Sequence, residues 1–452
     1  MDIISKLILC VQRIIRCRSS KTSSTMALFH LLSISSLFIL SHATGLNLNN
    51  NNGGSSQTVT FTMRKLAFST NQFGLDLYRA LNASEDQNVA LCPFCVGSSL
   101  AMLLLGTQGN PTVALRQALY LWGLHPQEVH LAYHDLIAHL GSNLTPLEDV
   151  FLKRSQPSAD DNLLKMMNNI YIQRHFAVHF PYQFLLNRYY NTSIYPLDFV
   201  MNSEQSTRYI NLFFERNTGG HVKSILSQVP SPSTNLLLLN ALHFSGTLDM
   251  NMAARRAQEG RAGESPFTML EARMARVRYG VHEYLNCSAV EVPFKGGLIS
   301  LVALLPDDPQ GMSVLETRIS AQRLSDIINS MQVKRVNFQM PRISLVQTHG
   351  NLSKALFNLG LVDLFTPGYA DLFGISNFGW LHVTNVMHAA AVEVREGPSA
   401  QMTSEQQQAS DVSVVLDRPF MWFVMDNVAG LAIAMGKMTK PESDFMVPRK
   451  EN

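Results

Sequence analysis

The run Leu236-Leu-Leu-Leu-Asn-Ala-Leu-His-Phe-Ser-Gly246 constrains this chain more than any other stretch. It is apolar almost without a break, and a run of that kind reads as a strand covered on both faces. A sheet holding such a strand must lie between two layers of other structure. The chain has 452 residues, enough for one large core or two domains. Shorter strand signals follow. Val290–Phe294 and Ile299–Pro306 form a turn-linked pair, and Val336–Ile343 is another.

Helical spacing sets in over Leu66–Leu81, where Phe73, Leu77 and Leu81 recur with Tyr78. At Asn88–Thr107 a short strand turns at Pro93 into a strongly apolar helix that Gly106 ends. Residues 111–140 read as one or two helices. Phe151–Asn162 and Met250–Glu264 read as polar loops, the second carrying Arg255, Arg256 and Arg261.

One polar stretch is unusually long. Between the alternating Val392 and Val394 and the dense Phe420, Trp422, Phe423 and Val424 lie some twenty polar residues. A long loop between two strong strands in a compact domain is functional or disordered. Here it reads as a bait, an exposed segment held at both ends by buried strands.

The N-terminus is basic and acid-poor, with Lys6, Arg13, Arg16, Arg18 and Lys21. The apolar Leu28–Leu40 follows, then the small-x-small Ser41-His42-Ala43. These are the parts of a secretory signal peptide, and the apolar run is shorter than a membrane-spanning helix needs. Met26 offers an alternative start, and a signal-anchor an alternative reading. Sequons at Asn82, Asn143, Asn191, Asn286 and Asn351 agree with secretion, to the extracellular space; Pro146 weakens the one at Asn143. The expected organisation is a leader over 1–43, a flexible Asn/Gly/Ser-rich linker over 44–63, one domain over 64–441, and a tail over 442–452.

Chemistry is conspicuous by its rarity. There is no Gly-x-Ser-x-Gly elbow, no phosphate-cradling glycine loop and no His-Glu-x-x-His, so no enzyme activity and no cofactor are expected. His130 and His134 lie four apart beside Asp135, but no further ligand stands at useful spacing, so no metal is expected. A net charge of +2 gives no reason to expect nucleic acid or a membrane surface as partner. Arg273, Arg276 and Arg278 with Lys334 and Arg335 read as a solvated face rather than a glycan patch. Of five cysteines, Cys10 and Cys17 fall in the leader, leaving Cys92, Cys95 and Cys287. Cys92-Pro-Phe-Cys95 opens a helix. A redox-active thiol, a local disulfide and a pair of buried small side chains are the readings, with the last preferred.

Several short motifs occur in a fixed order: Asn71, Phe73 and Leu77-Tyr78; Asp198-Phe199; Thr218-Gly-Gly; Asn240-Ala241 and Phe244-x-Gly246; Ala370-Asp-Leu-Phe; Pro419-Phe420; Asp426-Asn427; Met435-Gly436. In that order the chain resembles the serpin family from about Arg64 to Pro441. The resemblance implies an α+β fold of three β-sheets, about eight or nine helices, and an exposed reactive-centre loop over 396–417. It places Cys92 and Cys95 where most serpins carry the serines of the shutter, with Asn240 and His388 at the other shutter positions, and Leu248 near where serpins usually have a tryptophan.

An inhibitory serpin is cut in this loop and inserts the severed segment as a new central strand. The hinge here is Glu396-Gly397-Pro398-Ser399. Pro398 removes a backbone donor where insertion would begin. Ser399, Gln401, Thr403, Glu405 and Gln407 would share one face. Burying an unpaired amide costs roughly 1–3 kcal/mol and a carboxylate more, so insertion would cost on the order of 5 kcal/mol or more. The loop is also short, 23 positions from Glu396 to Pro419. Counting from the hinge puts the scissile bond at Val412-Ser413; counting back from Pro419 puts it near Gln408-Ala409. The expectation is a secreted, monomeric, non-inhibitory carrier, chaperone or binding scaffold with an unidentified ligand or protein as partner. The alternative is a serine-type endopeptidase inhibitor acting as a suicide substrate on a serine protease.

Overall fold

The computed structural model describes residues 59–143, 162–257, 267–350, 352–398 and 412–441. In chain order these form α1 (Phe61–Ala80), β1 (Val89–Leu91), α2 (Pro93–Leu104), α3 (Gly109–Ala118) and α4 (Pro126–Asn143). Next come β2 (Leu163–Gln173), α5 (Phe180–Tyr190), β3 (Ile194–Leu197), α6 (Ser203–Asn217), β4 (Leu236–Thr247) and β5 (Ala253–Ala257). Then follow β6 (Phe267–His282), β7 (Cys287–Pro293), β8 (Ile299–Pro306), α7 (Met312–Arg318), α8 (Ala321–Ser330) and β9 (Gln332–Pro341). The last are β10 (Ser344–His349), α9 (Leu352–Asn358), β11 (Val383–Arg395), β12 (Val412–Val415), β13 (Phe420–Asp426) and β14 (Leu431–Met438).

All twelve residues of β4 are buried, and strand alternation divides them between two cores. Leu236, Leu238, Leu242 and Phe244 join the main core. Leu237, Leu239 and Ala241 face a smaller cluster with Ile210 and Phe214 of α6. A strand apolar at nearly every position therefore has a layer on each side, as its composition requires.

Helix α2 lies within the main core, and its twelve residues are all buried. A helix apolar all round belongs inside a core. Pro93 suits its first turn, where the missing N–H would have had no partner. Helix α1 begins at Thr60, whose hydroxyl accepts the Met63 N–H at 3.2 Å, and buries Leu66, Phe73, Leu77 and Tyr78. Residues 111–140 resolve into α3 and α4, with Tyr120 (φ 56°) in the left-handed region opening a short 3-10 turn between them.

The smaller sheet has the order β10-β11-β4-β2-β3. The larger runs β1-β14-β13-β8-β7-β6-β9-β12, with β5 on β6. Among the described residues continuous hydrogen bonding joins two parts of the expected three-sheet fold into the larger of these ladders. The sixteen-residue β6 explains the merger: it pairs with β5 and β9 along most of its length and with β7 at its end. A bulge between Ala272 and Ala275, with Met274 at φ 52°, bends it between the two halves.

The segment Met250–Glu264, expected to be a loop, is one only in part. Within it, Ala253–Ala257 is instead the strand β5, paired antiparallel with Phe267–Glu271. The pairing is tertiary, and a polar edge strand carries no local apolar pattern to announce it. Of Phe151–Asn162, only Asn162 lies within the described residues. Among the described residues, no helix is long and apolar enough to cross a membrane.

Candidate functional site: the seam between β4 and β11

β4 and β11 pair in parallel from Leu236/Val383 to Thr247/Arg395, with a register shift between Val383 and Asn385. Both strands therefore end at the same edge of the sheet. Chain that continued from β11 and turned back would run antiparallel to both. A parallel pair whose own continuation can fold between its members is a slot for one further strand. Here the slot is closed by direct β4–β11 pairing.

The hinge leaves the slot and is fixed at three successive residues. Glu396 forms an ion pair and hydrogen bond with Arg342, between β9 and β10. Gly397 is buried against backbone: a Cβ there would lie 2.0 Å from the Met250 carbonyl oxygen and 2.6 Å from that of Leu248. The Pro398 carbonyl accepts the Met252 N–H at 3.3 Å, and the Arg395 carbonyl accepts the Leu248 N–H at 3.0 Å. The chain therefore leaves β11 docked on the segment between β4 and β5. Leu248, at the position discussed for tryptophan, is fully buried.

The middle of the seam is a polar cluster. The Cys92 N–H donates to Nε2 of His388 at 2.9 Å, which leaves the ring proton on Nδ1 to bond Oδ1 of Asn240 at 2.5 Å. His388 on β11 and Asn240 on β4 are register partners, so this neutral imidazole joins both strands of the seam to the start of α2. His349 of β10 faces His388 with rings parallel at 6.2 Å, and its Nε2 lies 2.9 Å from the Ala90 carbonyl. Burial holds the pKa of His388 well below the usual value, and neighbouring His349 lowers it further. Burial also lowers the pKa of His349.

Two more histidines share that direction: the buried His243 on β4, lowered to about 3, and the half-buried His130 on α4, lowered to about 4, both mainly by desolvation. A histidine whose folded pKa is depressed takes up its proton first in the unfolded chain. Its stabilising effect is full above about pH 6.5 and is lost as pH falls below that value. Each such group contributes a slope of up to about 1.4 kcal/mol per pH unit. The urea midpoint is expected to fall steadily from pH 7 to pH 5. A midpoint that stays flat over that interval contradicts the assignment.

Other singled-out residues are placed as follows. Cys92 and Cys95 are both buried, as preferred, but they are joined as a disulfide rather than left as separate thiols. The first turn of α2 brings their Cα atoms to 5.3 Å, an ordinary bridging distance. Val412 and Ser413 lie in β12, opposite Val336 and Asn337 of β9. Ser399, Gln401, Glu405, Gln408, Ala409 and Asn351 lie outside the described residues, as does the Asn143 side chain. Asn82, Asn191 and Asn286 are exposed and adopt φ of 47°, 48° and 47°. Asparagine tolerates that left-handed backbone, so conformation alone also accounts for these residues.

His130 is half-buried and bonds the Tyr190 hydroxyl at 2.7 Å, while His134 lies beside Asp135. Among the described residues no cluster of three or more metal-ligating side chains occurs. The basic residues of β6 and β9 spread out: Arg273 pairs with Glu271, Arg278 with Glu291, and Lys334 lies over Tyr279. The sequence reading did not find the Glu396–Arg342 pair, the docking of Gly397 or the stacking of His349 on His388. Of these, only the His349–His388 pairing had a possible signal, namely register between β10 and β11.

Comparison with known proteins adds the following. A family model described as Serpin (serine protease inhibitor) matches residues 68–441. "Iris" of Ixodes ricinus is 30% identical over 385 residues, covering 81% of this chain and 96% of that protein. The leukocyte elastase inhibitor of Sus scrofa is 26% identical over 399 residues, covering 84% of this chain and 100% of that protein. Uncleaved ovalbumin superposes with a TM-score of 0.72 at 20% identity, covering 83% of this chain and 100% of its own. Human thyroxine-binding globulin, solved as a ligand complex, gives 0.72 at 20%, with coverages of 84% and 100%.

Proposed function

The chain belongs to the serpin family, and on that premise we propose that it is a secreted, non-inhibitory serpin: a carrier, chaperone or binding scaffold. Members of the family mostly inhibit proteases and generally target serine proteases. That cycle needs the residues after Gly397 to turn back into the seam quickly. The observation that carries the opposite reading is the hinge. Pro398 has no N–H to offer a neighbouring strand. Before it can turn, Gly397 must leave the Leu248 and Met250 carbonyls and Glu396 must release Arg342. Gln401, Glu405 and Gln407 would then face a buried layer without partners. Thyroxine-binding globulin, whose name states its ligand, has the same fold, so the fold can carry a binding role.

The basic and apolar leader supports secretion, as do the exposed sequons at Asn82, Asn191 and Asn286. No catalytic role is proposed for the chain.

The second reading is a serine-type endopeptidase inhibitor. It is favoured by relatives named leukocyte elastase inhibitor, and a cut after Val412 would suit an elastase-like target. For a cut in this loop we favour Gln408-Ala409 over Val412-Ser413. A protease cleft takes an extended, unpaired segment, and β12 is already paired with β9.

Incubation with elastase-, trypsin- and chymotrypsin-type proteases, followed by denaturing gel electrophoresis, separates the two. The expected result is a cleaved chain with no SDS-stable adduct. An adduct with any of them establishes inhibition and rules out the non-inhibitory reading.

A further inference from the structure

The seam carries one reactive group that its strands do not need. The Cys92–Cys95 disulfide lies at the corner where β1 turns into α2, with Cys92 as the helix N-cap. Both residues are fully buried. The corner touches both strands of the seam. The Cys92 N–H is bonded to His388 of β11, and Cys95 Sγ lies 4.0 Å from the carbonyl oxygen of Ala241 on β4. Asn240, next to Ala241, holds the other nitrogen of His388. The cross-link thus stands where β4 would have to part from β11. A bridge between residues three apart closes a very short loop, and loop-closure arguments make that the least effective way to stabilise a whole fold. Its position gives it leverage that its loop length does not.

We infer that this disulfide is a redox latch on the β4–β11 seam, shut when oxidised and released by a dithiol reductant. In the reduction, a reductant thiolate attacks one sulfur and the S–S bond breaks to give a mixed disulfide. The second reductant thiol then displaces the protein sulfur. Two electrons and two protons end on Cys92 and Cys95 as free thiols, and the reductant leaves as its own disulfide. The start of α2 is then tied only by hydrogen bonds, and the corner can follow one strand while the other moves. Because the closed sheet hides both sulfurs, the seam controls access to the bridge, and the bridge controls the freedom of the seam. Cys287 does not interfere: it is buried in β7 of the other sheet, where burial raises its thiol pKa to about 12. The latch rests on the geometry of the seam and holds whether or not the loop ever inserts.

The test uses the oxidised full-length chain under native conditions, with dithiothreitol as reductant. Site-resolved alkylation reports whether Cys92 and Cys95 become thiols, and hydrogen exchange is read strand by strand. On reduction, exchange in Leu236–Thr247 and Val383–Arg395 is expected to accelerate at least tenfold, with β7 and β8 unchanged. The double variant Cys92→Ser/Cys95→Ser is expected to show the faster rate from the start and no response to reductant. The inference is overturned if the bridge is reduced and the seam exchanges as before. It is equally overturned if β7 and β8 accelerate alongside the seam, if the bridge resists the reductant in the folded chain, or if the double variant keeps the slow rate. Should the variant fail to fold, the wild-type reductant series decides alone.

Discussion

Nicking the loop between Ser399 and Asp417 is expected to leave the melting temperature within a few degrees of that of the intact chain. The size of the opposite outcome makes this informative. A strand inserted between β4 and β11 would replace their one ladder by two, and each hydrogen bond gained is worth roughly 0.5–1.5 kcal/mol net. A net gain of some ten such bonds amounts to about 10 kcal/mol, which raises the melting temperature of a domain this large by roughly 10 °C. Against that gain stand Pro398, the buried amides of Gln401 and Gln407, and the carboxylate of Glu405. These act at the start of insertion, before most of the new bonds can form, so they obstruct the path as well as reduce the gain. Calorimetry on intact and nicked chain measures the difference directly. A rise of about 10 °C or more means that the strand enters despite the hinge, and the inhibitor reading then takes precedence.

The second large effect is expected from Gly397→Ala. The added Cβ would lie 2.0 Å from the Met250 carbonyl oxygen and 2.6 Å from that of Leu248, both backbone atoms that no rotamer change can move aside. The hinge must lift. It loses the bond from Met252 N–H to the Pro398 carbonyl and strains the Glu396–Arg342 pair. A destabilisation of about 2–3 kcal/mol is expected, from one lost hydrogen bond plus steric displacement. Faster amide exchange at Met252 should accompany it. An unchanged urea midpoint together with a protected Met252 amide would show that the hinge is not held by this contact.

The sequence made the central sheet legible because one strand, Leu236–Gly246, is apolar at positions that must face both ways. The hinge was legible by order: Glu396, Gly397 and Pro398 follow a buried strand and precede a long polar run. Its anchoring was not. Arg342 lies 54 positions from Glu396, and Gly397 docks on carbonyl groups, which no side-chain pattern encodes. β5 escaped notice because an edge strand takes its shape from the neighbour it pairs with. The state of Cys92 and Cys95 depends on how the first turn of α2 aims two side chains, and the spacing alone left three outcomes open. The merger of sheets through β6 likewise needed the position of one bulge.

The seam also bears on how the chain is made. Asn240 and His388, which meet at its centre, are 148 positions apart. Translation proceeds at roughly 5–20 residues per second, so β4 emerges on the order of ten seconds before the strand that covers one of its edges. During that interval a strand buried along its whole length in the finished fold has β2 on one side and nothing on the other. An unpaired edge of that kind templates pairing with other chains. Newborn copies crowded on one messenger are therefore at greatest risk of joining each other between the synthesis of β4 and that of β11, and a chaperone that holds this edge would matter most in that window.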